Sequence, residues 1–361
     1  MTDLIRPTSV NTPATRVTVI GECMVELTHH SDRTLALDFA GDTFNTAVYL
    51  ARGTPARDVC IDYFTAVGDD WYSDELVSAI ETEGIGTELI ERIPGHSPGL
   101  YLVRTDDRGE RTFTYHRSES AARHLFDNGW PERIDRAIGA SDLIYLSAIT
   151  LQILSASARE RLWSILSTAR ARDTKIAFDS NFRRRGWPTV GDARTAIERT
   201  VELTDLYLPT LAHEQIVFGD RDGPACAQRI AGLGLPECVI KDGERGCLVL
   251  ADGGVVSVPA RHDVPVVDTT AAGDSFNAGY IAARLRGEAR PRAAESAHLL
   301  AAQVVGGSGA ILPDGVIPRR EQAKAPPDAV WGRAGGPGDQ TTTLQTTDHK
   351  RYCQEGAERS A

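Results

Sequence analysis

The sequence has no paired cysteines, no long apolar run and no excess of positive charge. Its six cysteines, Cys23, Cys60, Cys226, Cys238, Cys247 and Cys353, are scattered, and no two form a C-x-x-C pair. That spacing excludes a disulfide framework or a zinc site, and it reads as reduced thiols in a reducing compartment. No stretch approaches the roughly 18 apolar residues of a membrane span. The N-terminal Met1-Thr-Asp-Leu-Ile-Arg6 has no apolar core for a signal peptide. The expected location is cytoplasmic, with no membrane partner. Lys and Arg number 39 against 50 Asp and Glu, a formal net charge of −11. Such a chain is poorly suited to nucleic acid, and an anionic substrate has to be met by locally clustered arginines. There is no G-x-x-x-x-G-K-[ST] loop and no strand-linked G-x-G-x-x-G, which sets aside P-loop ATPases and nicotinamide dehydrogenases.

What is present is an α/β rhythm. The chain has 361 residues, 41% of them hydrophobic, enough for a sizeable core. Residues 1–15 read as a flexible N-terminal tail and 319–361 as a disordered C-terminal tail, since Pro326-Pro327 and Gly335-Gly336-Pro337-Gly338 carry little that can pack. Residues 16–318 form the domain. Short apolar runs at 17–20, 142–146, 175–179, 206–208, 238–241 and 247–250 alternate with helical patterns at 155–172 and 193–201. This pattern argues for a mostly parallel central sheet covered on both faces, a three-layer α/β fold. Residues 99–104 and 111–115 flank the turn Asp106-Asp-Arg-Gly109 and predict an inserted β-hairpin, with 35–39 as another strand outside the rhythm. A small antiparallel sheet there forms a lid over the C-terminal ends of the main strands, where open α/β sheets place ligands.

The segment Val264-Pro-Val-Val-Asp-Thr-Thr-Ala-Ala-Gly-Asp274 passes from an extended run to a turn of small residues, and a helix follows with Phe276, Tyr280, Ile281 and Leu285 on one face. Small residues at a helix start let backbone N–H groups approach an anion, which the helix dipole favours. An acid at Asp274 then suits a general base beside a transferring phosphate. On spacing alone it suits an N-terminal cap equally well.

Asp268-Thr-Thr-Ala-Ala-Gly-Asp-Ser-Phe-Asn-Ala-Gly279 closely resembles the C-terminal signature of the ribokinase-like (PfkB) carbohydrate kinases. The resemblance implies that the Ala271, Ala272, Gly273 and Asp274 backbone forms an anion hole and that Asp274 is the catalytic base. Ala271 replaces the usual first glycine, as is common in the branch acting on 2-keto-3-deoxygluconate. Val19-Ile-Gly-Glu-Cys-Met-Val-Glu26 resembles that branch's opening strand. Ala40-Gly-Asp-Thr-Phe-Asn45 resembles its sugar-binding turn, which implies substrate contacts at Gly41, Asp42 and Asn45. Pro98-Gly-Leu-Tyr101 and Glu110-Arg-Thr-Phe-Thr-Tyr-His-Arg117 resemble its lid, with Tyr101, Tyr115 and Arg117 facing the sugar acid. Phe178-Asp-Ser-Asn-Phe-Arg-Arg-Arg-Gly-Trp187 resembles a segment that sets Asn181 near the phosphates or magnesium and Arg183 near the substrate. Arginine forks suit carboxylates and phosphates, and a neutral sugar would not need Arg117 and Arg183 together.

Lys241-Asp-Gly-Glu-Arg-Gly246 resembles the family's nucleotide loop, implying roles for Lys241, Gly243 and Gly246, and Gly306-Gly-Ser-Gly-Ala310 would close the adenine pocket. The implied cofactors are ATP and Mg²⁺, with K⁺ bound through backbone near Asp268 and Thr270. The implied partner is a small sugar acid, with homo-oligomers formed through the lid. The expected reaction is phosphorylation of the sugar acid, most simply 2-keto-3-deoxygluconate, with a fructokinase or a 2-keto-3-deoxygalactonate kinase as alternatives and a non-catalytic sensor as a more distant one.

Overall fold

The computed structural model describes residues 14–105, 111–127, 132–251 and 254–316. Both expected tails lie outside these residues apart from Thr15 and its neighbour, as does the turn at 106–109. The chain opens with β1 (Thr15–Ile20), β2 (Met24–Ser31), β3 (Thr34–Ala40) and α1 (Asp42–Gly53). Next come β4 (Val59–Phe64), β5 (Ala66–Val67), α2 (Trp71–Thr82), β6 (Glu91–Arg92), β7 (Leu100–Thr105) and β8 (Arg111–His116). The middle of the chain holds α3 (Glu132–Gly139), β9 (Leu143–Ser147), α4 (Ala148–Ile153), α5 (Ala156–Arg170), β10 (Lys175–Asp179) and α6 (Val190–Val201). It continues with β11 (Leu206–Tyr207), α7 (Leu211–Phe218), α8 (Gly223–Ala231), β12 (Glu237–Lys241), β13 (Cys247–Ala251) and β14 (Gly254–Val258), and ends in α9 (Ala272–Leu285) and α10 (Arg290–Val305).

The main sheet has eight strands in the order β14-β13-β12-β11-β10-β9-β1-β4. Pairs from β4 through β12 are parallel, and β13 and β14 add an antiparallel edge. Alternation along each strand sends side chains to two cores. Leu143 and Tyr145 join Val17, Val19 and Val239 against α1, α9 and α10, whereas Ile144 and Leu146 join Ile176, Phe178 and Ile240 against the helices of the other face. Burial on both faces is why these strands read as apolar runs. Local signals set the helix starts: Ser155 accepts from Ala158 N at 3.1 Å to begin α5, and Thr189 and Asp192 form a reciprocal capping box on α6.

The lid is larger than a hairpin and is not purely antiparallel. Its order is β3-β2-β7-β8, and the central pair, β2 with β7, is parallel. The chain enters the lid directly after β1, returns through β3 into α1, and comes back for β7 and β8. The sequence around Met24–Glu26 reads as part of the opening strand, but Gly21–Cys23 break it, so β2 belongs to the lid. Among the described residues no helix is long and apolar enough to cross a membrane.

Candidate active site

Two helices begin at the junction of lid and body, and their first turns face each other. Helix α1 follows β3 after Gly41. A Cβ on Gly41 would lie 2.2 Å from the Glu22 carbonyl oxygen, so only glycine lets the two segments approach this closely. Gly41 N donates to Asn45 Oδ1 at 3.3 Å, which turns the Asn45 amide so that Nδ2 donates to Asp274 Oδ2 at 2.8 Å. Thr46 Oγ1, one residue on, reaches the Asp274 carbonyl at 3.3 Å.

Helix α9 starts from Ala271, a non-glycine residue in the left-handed region at φ 58°, and no side chain caps it. Ala272 N donates back to Thr269 O at 3.3 Å, and Ser275 N to Ala271 O at 2.8 Å. First-turn N–H groups have no intrahelical acceptor, so this uncapped start is suited to an anion. The Asp274 carboxylate is bonded to Asn45 of another helix, which disfavours the simple capping role left open by spacing. Burial, then the charges of Asp42 and Asp179, push the Asp274 carboxyl up to about 8, against a smaller pull from Asn45 and Lys241.

Around this pair lies a buried polar network. Lys241 Nζ donates to Asp179 Oδ2 at 3.0 Å and to Asn277 Oδ1 at 2.9 Å. Asn277 Nδ2 donates to the same Asp179 oxygen at 2.7 Å and to the Tyr145 hydroxyl at 3.0 Å. The ammonium is 3.7 Å from where a Cβ on Gly273 would be, so the missing side chain leaves open space beside a positive charge. Asp42 Oδ2 accepts from Asn181 Nδ2 at 2.8 Å, joining the sugar-turn motif to the segment after β10. Gly243 and Gly246, in the turn after β12, both have positive φ, 57° and 100°, so backbone shape alone accounts for these two glycines.

On the lid, Tyr101 and Tyr115 face one another across β7 and β8 with ring centroids 5.6 Å apart. Tyr101 is buried and its hydroxyl donates to Glu26, so it supports the exposed Tyr115 from beneath. Arg117 is paired with the buried Glu22. Arg183 is exposed and makes no ion pair among the described residues. Its charge and that of Arg117 both act on the Tyr115 hydroxyl, whose pKa burial otherwise raises. Arg184 and Arg185 are exposed, and so is His116. Asp268 and Thr270 are bonded to one another and to Arg111.

The site thus brings together Asp42, Asn45, Asn181, Lys241 and Asp274 from four separate stretches. Asp179, Asn277, Glu22 and Arg111 were not singled out from the sequence. Asp179 and Lys241 end β10 and β12, and a polar residue at the C-terminal end of a parallel strand is the signal that would have found Asp179.

A main sheet with a lid, an uncapped helix start and a buried carboxylate beside it define the class, a small-molecule kinase of the α/β sugar-kinase type. The profile of the pfkB family carbohydrate kinases matches residues 14–315, and the chain belongs to that family. It is 40% identical over 305 residues to the 2-dehydro-3-deoxygluconokinase of Dickeya dadantii (strain 3937), covering 84% of this chain and 98% of the relative. Among solved structures, the 2-dehydro-3-deoxygluconokinase of Thermotoga maritima superposes with a TM-score of 0.73 at 19% identity, over 83% of this chain and 95% of that one. The aminoimidazole riboside kinase of Salmonella enterica, complexed with aminoimidazole riboside and an ATP analogue, gives 0.70 at 21% identity, over 84% and 97%.

Proposed function

We propose that this chain transfers the γ-phosphate of ATP to the primary hydroxyl of 2-keto-3-deoxygluconate, the substrate also written 2-dehydro-3-deoxygluconate. The observation that carries the reading is the buried Asp274 at an uncapped helix start, oriented by Asn45 from the sugar-turn motif. The relative at 40% identity supports the choice of sugar acid.

The γ-phosphate sits at the start of α9 beside Lys241, against the N–H groups of Gly273 and Asp274, with that of Ala272 available once it leaves the Thr269 carbonyl. Gly41, Asp42 and Asn45 hold sugar hydroxyls. Arg183, with Tyr115 and Arg117, faces the carboxylate end. The sugar oxygen attacks the phosphorus, its proton passes to Asp274, and the bond to the β-phosphate oxygen breaks to release ADP. Positioning and charge carry most of such a step. Asn181, whose Nδ2 is held by Asp42, offers its Oδ1 as an oxygen donor of the kind Mg²⁺ prefers. The ion would offset phosphate charge when bound. Gly243, Gly246 and residues 306–310 shape the nucleotide side.

The test is ADP release with a panel of sugar acids and neutral ketoses, run on the wild type and Asp274→Asn. We expect 2-keto-3-deoxygluconate to be preferred and the variant to lose about 10²–10⁴-fold in turnover, the usual worth of general-base assistance. ATP affinity should hold. Turnover within a few-fold of wild type would remove Asp274 from the role, and a better neutral substrate would replace the sugar acid.

A further inference from the structure

Arg111, the first residue of lid strand β8, reaches out of the lid into the loop that leads to α9. Its Nη1 lies 2.6 Å from Asp268 Oδ2 and 3.1 Å from Thr270 Oγ1, and its Nη2 lies 3.4 Å from Ser308 Oγ. The other donors to this carboxylate come from its own turn and from the segment after α10. Asp268 Oδ1 accepts from Thr270 N at 3.0 Å and Thr270 Oγ1 at 2.7 Å, and Oδ2 accepts from Gly309 N at 2.7 Å. The Asp268 side chain is 2% exposed and that of Arg111 is 21% exposed. Burial pushes the Asp268 carboxyl up, but the bonds from Thr270 and Gly309 and the charge of Arg111 outweigh it and hold the group below its ordinary value. A buried carboxylate of this kind needs a cation, and here the lid supplies it.

Family resemblance implies a monovalent cation near Asp268 and Thr270. A resident ion on this carboxylate would have to share it with a guanidinium, positive charge against positive charge, so the residues present do not fit one there. We propose that Arg111 is a built-in counter-ion of the loop before α9, standing where a free cation would otherwise neutralise Asp268. Because it is carried on the lid, it also couples lid docking to the shape of the turn. The path is short. Asp268 fixes the N–H and hydroxyl of Thr270, Thr270 precedes Ala271 in its left-handed conformation, and Ala271 sets the direction of the first N–H groups of α9. Arg111 touches no reacting atom and acts as a positioning residue through Asp268. The inference rests on the proposed function only in taking the start of α9 as the phosphate site.

The experiment compares full-length wild type, Arg111→Ala and Arg111→Lys in the chlorides of K⁺, Na⁺ and tetramethylammonium at equal ionic strength. It reads melting temperature, calorimetric affinity for a non-hydrolysable ATP analogue, and turnover. In wild type we expect all three readouts to be indifferent to the salt, within about two-fold in affinity and turnover. In tetramethylammonium, Arg111→Ala should lose about ten-fold or more in nucleotide affinity. Potassium, or guanidinium at millimolar concentration, should restore at least about five-fold of that and raise the melting temperature, as a ligand filling the vacated site must. Arg111→Lys should fall between. A wild type that needs potassium overturns the proposal. So does an Arg111→Ala that matches wild type in every salt, or one whose loss no cation restores. Should Arg111→Ala fail to fold, wild type and Arg111→Lys decide alone. The melting and nucleotide arms use no sugar, so a wrong substrate assignment would leave them intact.

Discussion

Asp274 is poised at the wrong end of its titration for a base. With the carboxyl pushed up to about 8 by burial and by Asp42, the ligand-free site is mostly protonated at neutral pH. Since kcat/KM reports the free enzyme, it should climb with pH and level off near the folded-state value. The same shift has a sign in stability. The unfolded carboxyl titrates near its ordinary value of about 3.9, so between there and about 8 the folded state binds more protons than the unfolded one. Its contribution to stability is fully present below the unfolded value and is lost as pH rises through the folded one. Asp274→Asn removes that loss while keeping an acceptor for Asn45. The melting temperature of the variant relative to wild type should therefore be higher at pH 8.5 than at pH 5. An equal difference at the two pH values would mean that Asp274 is not strained by burial. That Asp274, Asn45 and Asp42 meet in one cluster was legible because short motifs carry them. Asp179, Asn277 and Glu22 were not, because their partners Lys241 and Arg117 come from distant stretches, and pairing across such separations leaves no local pattern.

Elements were legible where burial is two-sided or a cap is local. Strands β9, β10, β12 and β13 fall within a residue or two of the apolar runs, and α5 starts on its serine cap. The lid was harder to read. Its hairpin strands announce themselves, but β2 continues an apolar run from β1, and only the break at Gly21–Cys23 moves it to another sheet. The end of the domain depends on another such distant contact. The buried Tyr49 hydroxyl of α1 donates to Ala310 O at 2.9 Å and accepts from Leu312 N at 3.1 Å, so it holds the segment after α10 against the body. Helical patterning places Tyr49 in a helix and says nothing of a partner 261 residues away. Tyr49→Phe keeps the ring packing and strands two backbone groups. Each buried unpaired group costs about 1–3 kcal/mol, and thermal denaturation should show a fall of roughly 2–8 °C. Turnover at 25 °C should survive. A melting temperature unchanged within error would show that the segment is held by packing alone.

At the scale of the whole molecule, a chain of net charge −11 sets the exposed guanidinium of Arg183, which makes no ion pair among the described residues, close enough to the lid to act on Tyr115. The resemblance to the lid motif puts Arg117 first as the reader of a substrate carboxylate, with Arg183 second. The pairing of Arg117 with buried Glu22 reverses that order, since a guanidinium already matched to a carboxylate has less to offer another. Arg183 comes from the body, after β10, and Tyr115 from the lid, so a sugar acid between them would bridge the two parts. A charge-assisted bond in such a closed site contributes roughly 1.5–3 kcal/mol, or about ten- to a hundred-fold in affinity. Arg183→Ala should therefore raise the KM for 2-keto-3-deoxygluconate by that factor, leave the KM for ATP nearly unchanged, and narrow the preference for the acid over fructose. Arg117→Ala should behave differently. It leaves Glu22 buried without its cation, a change of the kind that costs about 3–5 kcal/mol, so the melting temperature should fall and activity toward both sugars should drop together. Steady-state kinetics on the two sugars, with melting curves for both variants, separate these outcomes. If Arg183→Ala lowers the two activities in proportion while Arg117→Ala selectively spoils the acid, the carboxylate is read from the lid and Glu22 must yield its partner when substrate binds.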